Sequence, residues 1–393
     1  MRGVPAFDHW LRNRFKDLNT ELEETYFKLD DPASVDGVRD DLKIAIREEG
    51  RGHIAAILCG ALPLQNTDAA YDLLGSVGLY MAALRRHELT NPEREMRSPL
   101  VEASALAQTL SAAIGVAPRF ATAHVNLSNL AIEGHHKSFT HLAEELLFIK
   151  YNCLSILGYI RTADILRRVF PLGVTHPVAE YLFDKAAAAL EDVERSNTEL
   201  DEKLDVRRFF YNVRPYFKTY RVGRSEYRGA NAGDFAAINE IDLMLGLCRS
   251  SDPTYSALLI EKMPFMTASD QQLLQASARQ VSLLDEFLAV VDKTGDLPEL
   301  AVAPLSAFIR ACDIHGRTAA QHHDRLVRRF IEQPSIDMPQ QHMAQITASG
   351  PPLPVLMNAL EVLRDKRLAA NRQGIDSRYS DLERLRSLCS QNV

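Results

Sequence analysis

Hydrophobic positions recur at steps of three and four along most of this chain, and no alternating pattern longer than four residues interrupts them. That spacing belongs to helices that bury one face. It predicts helices over residues 6–30, 35–49, 66–88, 99–114, 138–170, 177–197, 204–219, 234–249, 268–293, 299–332, 352–371 and 376–390. The breaks have local causes. Gly115 and Pro118 end one helix, Pro171 and Gly173 another, and Pro298 precedes a third. Ser349-Gly350-Pro351-Pro352 opens the penultimate helix. There is no repeat period and no low-complexity tract. The pattern predicts an all-α protein with a smaller N-terminal part, 1–120, and a larger helical part, 121–393.

Composition narrows the function classes. With 393 residues, 46% hydrophobic and 25% charged, the chain has the make-up of a soluble globular protein of one large or two unequal domains. A formal net charge of −7 gives no general attraction to nucleic acid or anionic lipid, so neither is an expected partner. The most apolar stretch, LLFIKYNCLSILGYI (146–160), is too short to span a membrane and carries Lys150. Cys59, Cys153, Cys248, Cys312 and Cys389 are scattered, which argues against a disulfide framework and against a four-cysteine zinc site. There is no C-x-x-C-H for covalent haem attachment, and MRGVPAFDHWLRNRF lacks the apolar run of a signal peptide. The expectation is a reduced, cytoplasmic protein. G-x-S-x-G, Walker and dinucleotide motifs are missing, which leaves hydrolase and nucleotide-binding readings weak.

Three stretches carry candidate chemistry. HGRTAAQHHDRLVRRFIEQP (315–334), wound as a helix, puts Gly316, Ala319 or Ala320, His323, Leu326 or Val327 and Phe330 on an apolar stripe. A second stripe of His315, Thr318, His322, Arg325 and Arg329 is polar and expected near solvent. His323 is then either a hydrogen-bonded core histidine or an inward-facing iron ligand, with small neighbours leaving room for a flat group. In LDVRRFFYNVRPYFKTYRVG (204–223), Phe210 and Arg214 are one turn apart, and Phe209 is close. The arginine either snorkels to water or holds a carboxylate beside aromatic rings. Pro215 limits or kinks that helix at Arg214. The third stretch, YRGANAGDFAAINEIDLMLG (227–246), sets a small-residue loop before a core helix, as where backbone passes close to something. Asp234 is expected to cap that helix, and Ile238, Ile241, Leu245 and Cys248 to anchor it. A further cluster, HHKSFTH with His135, His136 and His141, has spacings that scatter its rings over different helix faces, against a metal site.

FFYNVRPYFKTYRVGRSEYRGANAGDFAAINEIDLMLGLC, HHDRLVRRFI and TASGPPLPVLMNALEVLR, in that order within residues 204–367, resemble the haem-dependent tryptophan and indoleamine dioxygenase superfamily. The similarity points most closely to the pyrrolnitrin-biosynthesis branch that contains monodechloroaminopyrrolnitrin synthase. The resemblance implies an indoleamine dioxygenase-like helical fold with haem b in the larger C-terminal part, and His323 as the iron ligand. It implies Gly229, Ala232, Gly233, Ala319 and Ala320 around the cofactor. Phe209, Phe210, Arg214, Asn231 and Ser349 would surround the substrate, with Arg214 and Ser349 in catalytic roles. The implied reaction is oxygenation of tryptophan or a related aromatic amino acid by dioxygen or peroxide, in secondary metabolism, with a homodimer as one assembly. GANAGDFA stands where the indoleamine enzymes carry a serine-containing loop, which leaves the reaction outcome open. Two other readings remain: a haem-binding sensor or carrier without turnover, and a cofactor-free helical interaction protein.

Overall fold

The periodic segments fold as the helices their spacing demands, and side chains set many of the boundaries. In a computed structural model, which describes residues 3–230, 233–336 and 352–391, Thr67–Arg86 begins where the Asn66 side chain accepts from the Ala69 N–H. Leu283–Thr294 starts on Ser282 and stops at Gly295, whose φ of 78° releases the chain. Two long predicted helices divide. Residues 6–30 become Gly3–Arg12 and Arg14–Tyr26, and 268–293 becomes Ala268–Arg279 and Leu283–Thr294, because Ser282 caps a new helix inside the periodic run. Pro253–Lys262 was not anticipated; Asp252 caps it by accepting from Thr254 and Tyr255. A hairpin pairs Tyr220–Val222 with Ser225–Tyr227, and the positive φ of Gly223 closes its two-residue turn. Among the described residues the protein is all-α apart from this pair and one isolated bridge between Ile132 and His135.

Two segments wind differently from the regular helices expected. Residues 204–219 resolve into Val206–Arg208, a π-helical turn Phe209–Val213 and a 3₁₀ turn Arg214–Phe217. The helix expected over 299–332 is α from Glu299 to Gln321 and π from His322 to Glu332. Wide π turns often accompany functional sites.

The apolar faces meet in distinct cores. One gathers Gly3–Arg12, Arg14–Tyr26, Thr67–Arg86 and Val101–Ile114 together with Phe120, Phe139, Tyr151, Phe209, Phe217, Val222 and Phe330. It spans the position at which the sequence suggested a boundary. Another joins Ala143–Arg167, Pro177–Lys203 and Glu299–Gln321 with Leu283–Thr294 and Tyr379–Gln391. The chain from Glu299 to Glu332 therefore starts in the second core, through Phe308 and Ala311, and ends in the first, through Phe330. His323 lies at that passage. Among the described residues no helix is long and apolar enough to cross a membrane.

Candidate functional site

The π turn carries His323 inward, 2% exposed, with Val327 and Phe330 buried on the same side. Its Nδ1 lies 2.8 Å from Asp324 Oδ1. Arg364, from the Leu353–Arg367 helix, reaches the same carboxylate oxygen at 3.2 Å. Nε2 has no partner among the described residues. Ala319 is buried and Ala320 half-buried, yet neither joins a hydrophobic core. Gly316 has a different reason to be small from the one its stripe suggested. A Cβ there would meet Leu368 Cδ2 at 2.9 Å and the Arg367 carbonyl at 3.0 Å, so it lets the Leu353–Arg367 helix end pack close.

The polar stripe needs correction. His322 and Arg325 are exposed, but His315 and Thr318 are fully buried. Thr318 donates to the His315 carbonyl at 2.8 Å and accepts from the Tyr159 hydroxyl at 3.2 Å, while His315 turns inward onto a carboxylate. Asp242 accepts from His315 Nε2 at 2.7 Å, from Arg367 Nε and Nη2 at 2.8 and 2.7 Å, and from the Tyr255 hydroxyl at 2.7 Å. Burial alone would raise the Asp242 pKa, but Arg367 and His315 outweigh it and hold the group below the usual carboxylate range. Its sequence signal was a single acid deep in the apolar run IDLMLGLC.

Arg214 is 9% exposed, and no hydrogen bond or ion pair engages it among the described residues. Its guanidinium carbon stands 5.6 Å from the centre of the Phe210 ring. Burial, with nothing opposing it, pushes its pKa down to about 9, so it keeps its charge at neutral pH. The two phenylalanines divide their work. Phe209 packs into the first core against Phe148 at 5.0 Å and Phe330 at 5.8 Å, and the latter contact joins this turn to the His323 segment. Phe210 is buried but belongs to no core cluster, which leaves its ring beside Arg214. One turn on, half-buried Lys218 is also unpaired among the described residues, and burial pushes its pKa down to about 7.

The small-residue loop has a geometric cause at its start. A Cβ on Gly229 would lie 1.5 Å from the Phe217 carbonyl oxygen, so the loop crosses directly over the backbone that follows Arg214. Arg119, fully buried, holds it there by donating to the carbonyls of Arg228 and Gly229 and to Asp234 Oδ2 at 2.8 Å. Arg228 takes the other oxygen of Asp234 at 2.5 Å. Asp234 is thus a clamp between two arginines, not the helix cap expected. The helix begins at Ala236 after Phe235, without a side-chain cap. Ile241, Leu245 and Cys248 are buried as the stripe required. Gly233 is half-buried next to Asp234, while Asn231, Ala232 and Ser349 lie outside the described residues. Nothing in the sequence marked Arg119, which sits in the segment read as a boundary.

Among the described residues no group of three or more His, Cys, Asp or Glu side chains could hold a metal ion. His136 lies 2.8 Å from the Asn129 carbonyl, and His141 pairs with Asp17 at 3.0 Å. The five cysteines are free.

The structure therefore places the buried Arg214, in the 3₁₀ turn that follows one π turn, and the buried His323, in the other π segment, on adjoining stretches, with the clamped loop crossing beside the first. The family described as Monodechloroaminopyrrolnitrin synthase PrnB matches residues 1–389, nearly the whole chain and well beyond the segments that carried the resemblance. The chain belongs to the monodechloroaminopyrrolnitrin synthase family, a family of oxidoreductases in secondary metabolism.

Proposed function

We infer that the chain binds haem b through His323 Nε2 and oxidises tryptophan or a related aromatic amino acid whose carboxylate is held by Arg214. The observation that supports this is a buried guanidinium, Arg214, and a buried imidazole nitrogen, His323 Nε2, each without a partner among the described residues, on segments joined by the Phe209–Phe330 contact. An unpaired buried guanidinium is costly, and a ligand carboxylate relieves it. The donor set at His323 also suits iron. A neutral imidazole with a carboxylate on Nδ1 keeps its proton there and leaves the Nε2 lone pair for a metal. Ala319 and Ala320, one turn before that ring, are small and belong to none of the packed cores.

When bound, the haem supplies the oxidising chemistry that no side chain here provides. The protein's own part is placement. Arg214 fixes the substrate's carboxylate, and Phe210 offers its ring to the aromatic body. The loop clamped by Arg119 and Arg228 covers the backbone beside Arg214 and limits water. Dioxygen or peroxide is the proposed co-substrate, and a homodimer the proposed assembly, to be checked by light scattering.

Hemin titration tests the reading. The wild-type protein should develop a Soret band, and His323→Ala should lose it or retain haem far more weakly. Equal uptake by that variant would remove His323 as ligand. A haem-loaded protein that turns over no indole substrate with dioxygen or peroxide would favour a carrier or sensor, and one that takes up no hemin a cofactor-free interaction protein.

A further inference from the structure

The Nδ1 side of His323 is built more elaborately than a ring needs merely to stay in place. Asp324 Oδ1, 2.8 Å away, is placed to accept an N–H from Nδ1, and Arg364 Nη1 stands 3.4 Å from that same nitrogen. That same oxygen receives Arg364 Nη1 at 3.2 Å. Arg364 is in turn held through Nε by Asp365 at 2.8 Å, and Asp365 is 4% exposed and also takes Arg372. The chain Arg372–Asp365–Arg364–Asp324–His323 thus runs from the Leu353–Arg367 helix and its exit to the candidate ligand. Asp324 itself is 44% exposed, so no packing requirement dictates a carboxylate there. Arg328, at 3.9 Å, is its other cationic neighbour.

We propose that Asp324 is a positioning residue that sets the orientation and donor strength of His323, and that Arg364 regulates how much negative charge Asp324 presents. The inference rests on His323 binding haem. An imidazole that donates its Nδ1 proton to a carboxylate becomes more electron-rich at Nε2, and a more electron-rich ligand favours ferric over ferrous iron. A guanidinium on the same oxygen draws charge away and moderates the effect. The two neighbours therefore act in opposite directions, which a merely structural pair would not do.

The experiment compares wild type, Asp324→Asn, Asp324→Glu and Arg364→Met after hemin loading, with the ferric-to-ferrous ratio read by spectroelectrochemistry. Asparagine still accepts the N–H but carries no charge. Asp324→Asn should keep its Soret band and shift the ratio about tenfold toward ferrous iron, roughly 59 mV for one electron. Asp324→Glu should recover most of that shift, and Arg364→Met should move the ratio the other way. An unchanged ratio in a haem-loaded Asp324→Asn, or both variants shifting in the same direction, overturns the proposal. If Asp324→Asn does not fold, the sign of the Arg364→Met shift decides. Failure of the wild type to take up hemin would instead overturn the proposed function itself.

Discussion

Arg214→Met should make the empty protein more stable while abolishing its response to a carboxylate ligand. The guanidinium is 9% exposed and unpaired among the described residues, and burial lowers its pKa from the ordinary arginine range to about 9. At about 1.4 kcal/mol for each tenfold change in protonation, keeping it charged at pH 7 costs on the order of 4–5 kcal/mol. Methionine fills similar space without charge, and replacing buried ionic groups by apolar ones commonly stabilises by about 1–4 kcal/mol. A gain of about 1–3 kcal/mol is expected after relaxation. Urea unfolding with and without ligand measures both halves of the claim. L-tryptophan at a hundredfold excess over its dissociation constant should stabilise wild type by about 2.7 kcal/mol and leave the variant unmoved. Tryptamine, which lacks the carboxylate, should protect neither protein. A variant less stable than wild type by more than about 1 kcal/mol, or one that L-tryptophan protects equally, refutes the reasoning.

Asp242→Asn should cost about 3–5 kcal/mol in urea unfolding, because it leaves Arg367 buried without its counter-ion. The Asp242 pKa is depressed in the folded state, so its contribution is present above the unfolded value near pH 4 and fades as the pH falls below it. Lys218 and Lys262 have pKa values pushed down by burial, to about 7 and about 8, from an ordinary 10.5. Between those values the unfolded chain binds more protons, so stability should rise with pH from about 7 toward 10.5, and the Lys218→Met, Lys262→Met double variant should flatten that rise. Gly229→Ala should cost about 2–3 kcal/mol or more, seen as a lowered urea midpoint, since its Cβ would fall 1.5 Å from the Phe217 carbonyl oxygen. A midpoint unchanged from wild type would show that the loop does not cross there.

What the sequence determined by itself was the local part of this protein. Helix periodicity needs only neighbours a turn away, so the helical segments, the inward face of His323, the nearness of Phe210 to Arg214 and the buried stripe of Ile241, Leu245 and Cys248 could all be read from spacing. Partnership could not. The Asp242 site joins residues 13, 73 and 125 positions apart, and Arg119 reaches Asp234 across 115. No helical step connects such residues, so only tertiary packing decides that His315 is buried on a carboxylate rather than turned to solvent. The same holds for Gly229 and Gly316, whose small size answers backbone arriving from elsewhere in the chain. It holds equally for Arg214. Its sequence neighbours show an arginine beside an aromatic ring, but only the folded chain shows that nothing else among the described residues neutralises it. A charge buried without a partner is a property of the whole surrounding volume, which is why packing, and not spacing, made it visible.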